Sequence, residues 1–299
     1  MLYNNALEII GNTPLVRLDK IVSKYGLVGE IYAKVEYYSP GLSKKDRIAK
    51  YIIEKAIKEG KLKKGQTVIE QTSGNTGIGA ALVCAVLGYP FVAVMSKGNS
   101  VERVKMIEAF GGKVELVDKA SEHIGVNKDD LNLVEKRYNE LVKQLDAFAM
   151  NQFNNEENAW AHYYSTGEEI IADLSDVDVF VDYVGTGGSF VGISRKLKEY
   201  CDCLCYKVVP DKLNHFIQGG GYFKDIPFEE KGLCDGKISV SEEEARMGME
   251  DLAKEEALYC GISSGANLAA SIKVLKENPG KKIVILLNDV GLKYLSVYK

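Results

Sequence analysis

Apolar residues at helical spacing alternate along the chain with short β-branched runs. Helix is expected over Lys44 to Glu59, strand over Thr67 to Glu70, helix over Thr76 to Leu87 and strand over Phe91 to Met95. The rhythm continues through Val101 to Phe110, Lys113 to Val117, a charged amphipathic stretch Asp129 to Leu145, Ala147 to Met150 and Glu156 to Leu174. Later strands are expected at Val177 to Val184, Tyr206 to Val209 and Lys282 to Leu287. This alternation predicts an α/β fold, mostly parallel sheet with helices on both faces. A chain of 299 residues exceeds what one core usually serves, so two subdomains are expected, and with no repeat or linker they must come from a split in the sheet.

Gly77 to Met95 is uncharged and about long enough to cross a bilayer, but Gly88-Tyr89-Pro90 divides it into a small-residue helix and a strand. Met1 to Leu18 lacks a basic region followed by an apolar stretch and contains Pro14, so a cytoplasmic location is expected. With 42 acids against 38 bases and no basic block, neither nucleic acid nor membrane is an expected partner. The six cysteines form no CxxC pair. Cys201, Cys203 and Cys205 would share one face of a strand, but no histidine follows at ligand spacing, so they read as small packing residues and no metal is expected.

Ligands of open parallel sheets bind beyond the carboxyl ends of the strands. There, Gln71 to Gly77 packs hydroxyls, an amide and glycines at a helix start, an anion site suited to a carboxylate or simply a capped turn. Gly185-Thr186-Gly187-Gly188-Ser189 precedes a helix beginning near Phe190 and lets backbone approach a phosphate. It lacks the lysine of a Walker loop and the spacing of a dinucleotide loop. Ser39 to Arg47 places Lys44 and Lys45 at a helix start, where the dipole disfavours a cation and favours a neutral amine. Gly261 to Ala266 sets hydroxyls before another small-residue helix.

Collinear with these loops run Gly11-Asn12-Thr13-Pro14-Leu15, Lys34-Val35-Glu36, Lys45-Asp46-Arg47, Thr72-Ser73-Gly74-Asn75-Thr76-Gly77, Glu102-Arg103, Asn151-Gln152-Phe153 and Gly261-Ile262-Ser263-Ser264-Gly265. On these the chain resembles, over nearly its whole length, the cysteine synthase family of pyridoxal-phosphate-dependent β-replacement enzymes. The resemblance implies the two-subdomain fold of that family, with residues 38–145 a smaller mobile part and 1–37 plus 146–299 the larger. It implies pyridoxal 5′-phosphate bound to Lys45, its phosphate held by Gly185, Thr186, Gly187, Gly188 and Ser189, its ring oxygen by Asn75 and its pyridine nitrogen faced by Ser263. Substrate contacts implied are Thr72, Ser73, Asn75, Thr76, Gln152, Gly220 and Tyr222. A hydroxyl opposite the pyridine nitrogen makes a milder electron sink, suited to elimination and replacement through α-aminoacrylate.

Departures lie at the rim. Lys44 takes the place of a usual apolar residue, Ser189 that of a commoner Thr, and Asn288-Asp289-Val290-Gly291-Leu292-Lys293-Tyr294-Leu295 replaces a Pro-Asp/Ser-Ser-Gly-Glu/Asp-Arg-Tyr-Leu stretch. The resemblance therefore implies cysteine synthesis from O-acetylserine and sulfide, with a sulfide-producing reaction of cysteine to serine, lanthionine or cystathionine as the alternative. From another class comes a cofactor-bound protein that docks a serine acetyltransferase tail. A homodimer is the family's expectation, and His123, His162 and His215 are expected to be surface or packing residues.

Overall fold

In the computed structural model, which describes residues 2–120, 126, 128–212, 215–221 and 225–297, the strands sort into two sheets. The chain runs β1 (Leu15–Arg17), α1 (Asp19–Lys24), β2 (Gly29–Val35), α2 (Lys45–Lys58), β3 (Val68–Gln71), α3 (Asn75–Leu87), β4 (Phe91–Ser96), α4 (Val101–Ala109), β5 (Lys113–Val117), α5 (Lys128–Gln144) and β6 (Phe148–Ala149). It continues through α6 (Glu157–His162), α7 (Glu168–Asp173), β7 (Val179–Tyr183), α8 (Gly188–Tyr200), β8 (Leu204–Pro210), β9 (Gly236–Val240), α9 (Glu242–Glu256), α10 (Ile262–Glu277) and β10 (Lys281–Leu287). The larger sheet has the order β1-β2-β10-β7-β8-β9 and the smaller β5-β4-β3-β6. Among these strands only β1 and β2 pair antiparallel.

Both faces of each sheet are covered, which is why the strands read as apolar runs. Along β10, Ile283, Ile285 and Leu287 pack with Ile31, Val181 and Leu268, whereas Val284 and Leu286 join Phe180, Phe190 and Leu197 on the opposite face. In the smaller sheet Val68 and Met95 pack with Ile48 and Ile78, and Ile69 and Val94 with Val134 and Tyr138. The unit around the smaller sheet reaches past residue 145, because β6 closes its edge, and it takes in Leu7 and Ile10 from the N-terminal segment.

Two local expectations change. Glu156 to Leu174 is two helices joined by a π-helical turn, Tyr163–Gly167. There Ser165 Oγ donates to the Ala161 carbonyl at 2.6 Å, a back-bond of the kind that loosens a helical ladder. Cys201 caps α8 and Cys203 precedes β8, so the three cysteines do not share a strand face. No group of acidic, cysteine or histidine residues suited to a metal occurs among the described residues. The uncharged segment divides at Gly88, whose φ of 75° ends α3. Among the described residues no helix is long and apolar enough to cross a membrane.

Candidate active site

The two lysines at the start of α2 part company. Lys44 Nζ donates to Asp182 Oδ1 and Oδ2 at 3.0 and 3.2 Å and to Ser189 Oγ at 2.7 Å. Lys45 Nζ meets Thr186 Oγ1 at 3.3 Å, and no described carboxylate forms an ion pair with it. Burial, then the Lys44 charge, pulls the Lys45 amine from 10.5 down to about 7, against opposing pulls from Asp182 and Glu70. Close packing sets this position: a Cβ at Gly79 of α3 would lie 3.1 Å from the Lys45 carbonyl oxygen.

Thr186 Oγ1 accepts from both Lys45 and Asn158 Nδ2, the latter at 2.8 Å, which leaves its own proton to donate. Helix α8 starts at Gly188, two residues before Phe190, so its first N–H groups face the loop. The Ser189 hydroxyl donates to Asp182 and accepts from Lys44, so its proton is already engaged and is not left to donate elsewhere. Gly187 has φ of 88°, and a Cβ there would lie 2.5 Å from Ile226 Cδ1. Overpacking of this kind destabilises by about 1–3 kcal/mol and displaces the loop, so Gly187→Val is expected to weaken cofactor binding. Equilibrium dialysis read by absorbance checks this, and parental affinity in the variant would remove the loop from the site.

Opposite, Thr72 Oγ1 accepts from the N–H groups of Gly74 and Gly77 at 2.9 and 3.4 Å, keeping its proton free. Ser73 lies half-buried in the same loop. Lys293 Nζ donates to Asn75 Oδ1 at 2.9 Å, and Asn75 Nδ2 donates to Asp289 at 2.6 Å. An ammonium only donates, so the Asn75 amide orientation is determined and one N–H remains available. Asn288 Nδ2 donates to Ser263 Oγ at 3.1 Å, leaving the Ser263 proton free for a ring nitrogen. Gly220 lies over the end of β7, where a Cβ would come within 2.6 Å of the Val184 carbonyl oxygen. Tyr222 and His123 fall outside the described residues.

Gln152 sits differently from the expectation of a direct substrate contact. Its Nε2 donates to the Gln71 carbonyl at 2.9 Å and to Glu70 at 3.4 Å, and its Oε1 accepts from Thr76 at 2.7 Å. These partners belong to the smaller unit and occupy the amide, so a carboxylate would have to displace one of them. Glu70 was not legible as a site residue; burial, outweighing hydrogen bonds from Gln152, pushes its carboxyl up to about 8. His162 is a packing residue, buried and driven well below its usual pKa by burial, with Nδ1 2.9 Å from Thr166 Oγ1.

The remaining motif residues hold the start of α2 in place. Arg47 donates to Glu36 through Nε and Nη2 at 2.7 and 2.8 Å and to Glu169 through Nη1 and Nη2 at 2.5 and 2.8 Å. Glu169 in turn accepts from the Asn12 N–H at 2.9 Å, and Lys34 Nζ donates to the Thr13 carbonyl at 2.6 Å.

A family model described as pyridoxal-phosphate dependent enzyme matches residues 6–289. The chain belongs to that family. Cysteine synthase B of Campylobacter jejuni is 38% identical over 301 residues, covering 97% of this chain and 96% of that one. A hydrogen sulfide-producing enzyme from Fusobacterium nucleatum has a TM-score of 0.90 at 39% identity, over 98% of this chain and 100% of its own. An O-acetylserine-dependent cystathionine β-synthase from Helicobacter pylori has a TM-score of 0.91 at 31% identity, over 100% and 99%. The protein is thus a pyridoxal-phosphate-dependent β-replacement enzyme with the two-sheet fold of the cysteine synthases. The residues present fit the cofactor: a glycine cradle that side chains would fill, free Thr186 and Ser263 protons, one free Asn75 N–H and a low-pKa amine.

Proposed function

We propose that this enzyme makes cysteine from O-acetylserine and sulfide, with Lys45 as the amine that holds the cofactor and then moves the Cα proton. The observation that carries this reading is the buried Lys45 amine, free of a carboxylate partner and brought down to about 7. An amine near neutrality can act as nucleophile and as general base at physiological pH. Bound pyridoxal phosphate supplies an aldehyde that joins amines and a ring that accepts the electron pair left on Cα.

The N–H groups at the start of α8 and the Thr186 hydroxyl would take the phosphate, Asn75 the ring oxygen and Ser263 the ring nitrogen. Thr72, Ser73 and the N–H groups at the start of α3 would take the substrate carboxylate, with Thr76 and Gln152 bracing that loop. The unit around the smaller sheet then forms the part that closes on substrate and excludes water, Gln152 moving with it through its bonds to Glu70 and Gln71. The enzyme would act as a cytoplasmic homodimer, with the Thr72 loop also open to a serine acetyltransferase tail.

A second reading has one observation in its favour. The cleft beside Gln71, Phe153, Gly185 and Thr186 is also lined by Glu135 and Asp225. Carboxylates lining the cleft suit an ammonium-bearing thiol better than anionic sulfide, as in conversion of cysteine to lanthionine or cystathionine with release of sulfide. The purified protein should be given O-acetylserine, O-phosphoserine, serine and cysteine separately, with and without sulfide. Cysteine formed fastest from O-acetylserine and sulfide is the expected result. Release of sulfide from cysteine by a protein inert toward O-acetylserine would overturn it in favour of the second reading.

A further inference from the structure

Two lysines adjacent in sequence, Lys44 buried and Lys45 half-buried, end on the same five-residue loop, yet only Lys44 is ion-paired among the described residues. Lys44 Nζ is bracketed by the two oxygens of Asp182 and by Ser189 Oγ, and Ser189 closes the triangle by donating to Asp182. Asp182 is completely buried, and Lys44 and Ser189 are each 7% exposed. Lys45, one residue on, touches the Thr186 hydroxyl of the same loop. Asp182 is the one charged residue in the otherwise apolar and aromatic strand β7. A lone charge at such a place is held there by its partner.

We propose that Asp182 is a positioning residue that decides which of the two lysines joins the cofactor: by holding the Lys44 amine against Ser189 it reserves Lys45 for the reaction. This rests on the reading of Lys45 as the cofactor lysine. Only a neutral amine attacks an aldehyde. Its nitrogen lone pair forms the new bond to carbon, and both amine protons leave with the carbonyl oxygen as water, giving a C=N double bond. Held by both Asp182 oxygens and by Ser189 Oγ, the Lys44 nitrogen is not free to turn toward the aldehyde. Lys45 instead feels Lys44 and Asp182 from one side and Glu70 from another, with His162 of α6 buried nearby. The Lys44 charge favours its neutral form.

The test reads where the cofactor attaches. Protein loaded with pyridoxal phosphate is treated with borohydride, which delivers hydride to the C=N carbon while water protonates the nitrogen, and the labelled peptide is mapped by mass spectrometry. In the parent protein the label should fall on Lys45; label on Lys44 would overturn the reading of Lys45 itself. With that established, Asp182→Asn should raise labelling of Lys44 at least about tenfold above background, since hydrogen bonds to a charged group restrain an amine by roughly that factor or more. It should also move the pH midpoint of cofactor capture downward, because two buried amines then compete without an anion. Label confined to Lys45 together with an unmoved midpoint would overturn the inference. Lys45→Met gives an independent answer if Asp182→Asn does not fold: with Asp182 intact, Lys44 should stay unlabelled at excess cofactor, and its labelling to the parental extent would overturn the inference.

Discussion

Lys45→Ala is expected to abolish β-replacement, lowering turnover by about 10³-fold or more, because one change removes both the covalent anchor and the base. The amine stands 3.3 Å from Thr186 Oγ1 in the phosphate loop. Its neighbour Lys44 cannot take over while Asp182 and Ser189 engage it. The purified variant should lack the absorbance of covalently held cofactor at neutral pH while unfolding at the parental denaturant midpoint. In the parent, cofactor capture should rise with pH through about 7 and then level off, following the neutral fraction of Lys45. A variant with parental turnover would show that the base lies elsewhere.

Arg47→Met is expected to cost about 3–5 kcal/mol of stability, the usual result of stranding the buried partners of an ion pair. Its guanidinium is 4% exposed and joins Glu36 and Glu169 by paired hydrogen bonds. Burial alone would raise the Glu169 carboxyl, but the hydrogen bonds and charge of Arg47, with Lys34, hold it down from 4.5 to about 2. Because this folded-state value is depressed, its contribution to stability is complete above about 4.5 and is lost as pH falls toward about 2. The parent should therefore weaken across that window, and the variant should already be weakened at neutral pH. Urea unfolding at several pH values measures both, and a loss below about 1 kcal/mol at neutral pH would mean that the arginine is not needed to hold α2.

The parallel layers were legible because strands covered on both faces carry few polar residues, as in β4 and β10. Strand β2 was not, because Glu30 and Lys34 interrupt its pattern, and only the fold shows Lys34 paying out its charge to Thr13, Glu169 and Asp173. Helix α9 begins with three glutamates, and its signal was the capping box of Ser241 and Glu244 rather than an apolar stripe. In the site, the collinear loops pointed to Lys45, Asn75, Gly185 to Ser189 and Ser263. They could not reveal the partners that orient these groups, since Asn158, Asp182, Asn288 and Lys293 arrive from distant segments. Asp182 left one local trace, an acid in an apolar strand. The inward turn of Ser189 depends on Asp182 and Lys44, and the occupied amide of Gln152 on Glu70, Gln71 and Thr76, so both were invisible in the sequence.

Whether Lys45 moves the proton on Cα is read by stopped-flow absorbance with O-acetylserine carrying deuterium at Cα. In the parent the first spectral change should be slowed several-fold by deuterium. In Lys45→Ala, reconstituted with pyridoxal phosphate, the deuterium should stay on Cα. Loss of that deuterium at the parental rate in the Lys45→Ala protein would contradict the account.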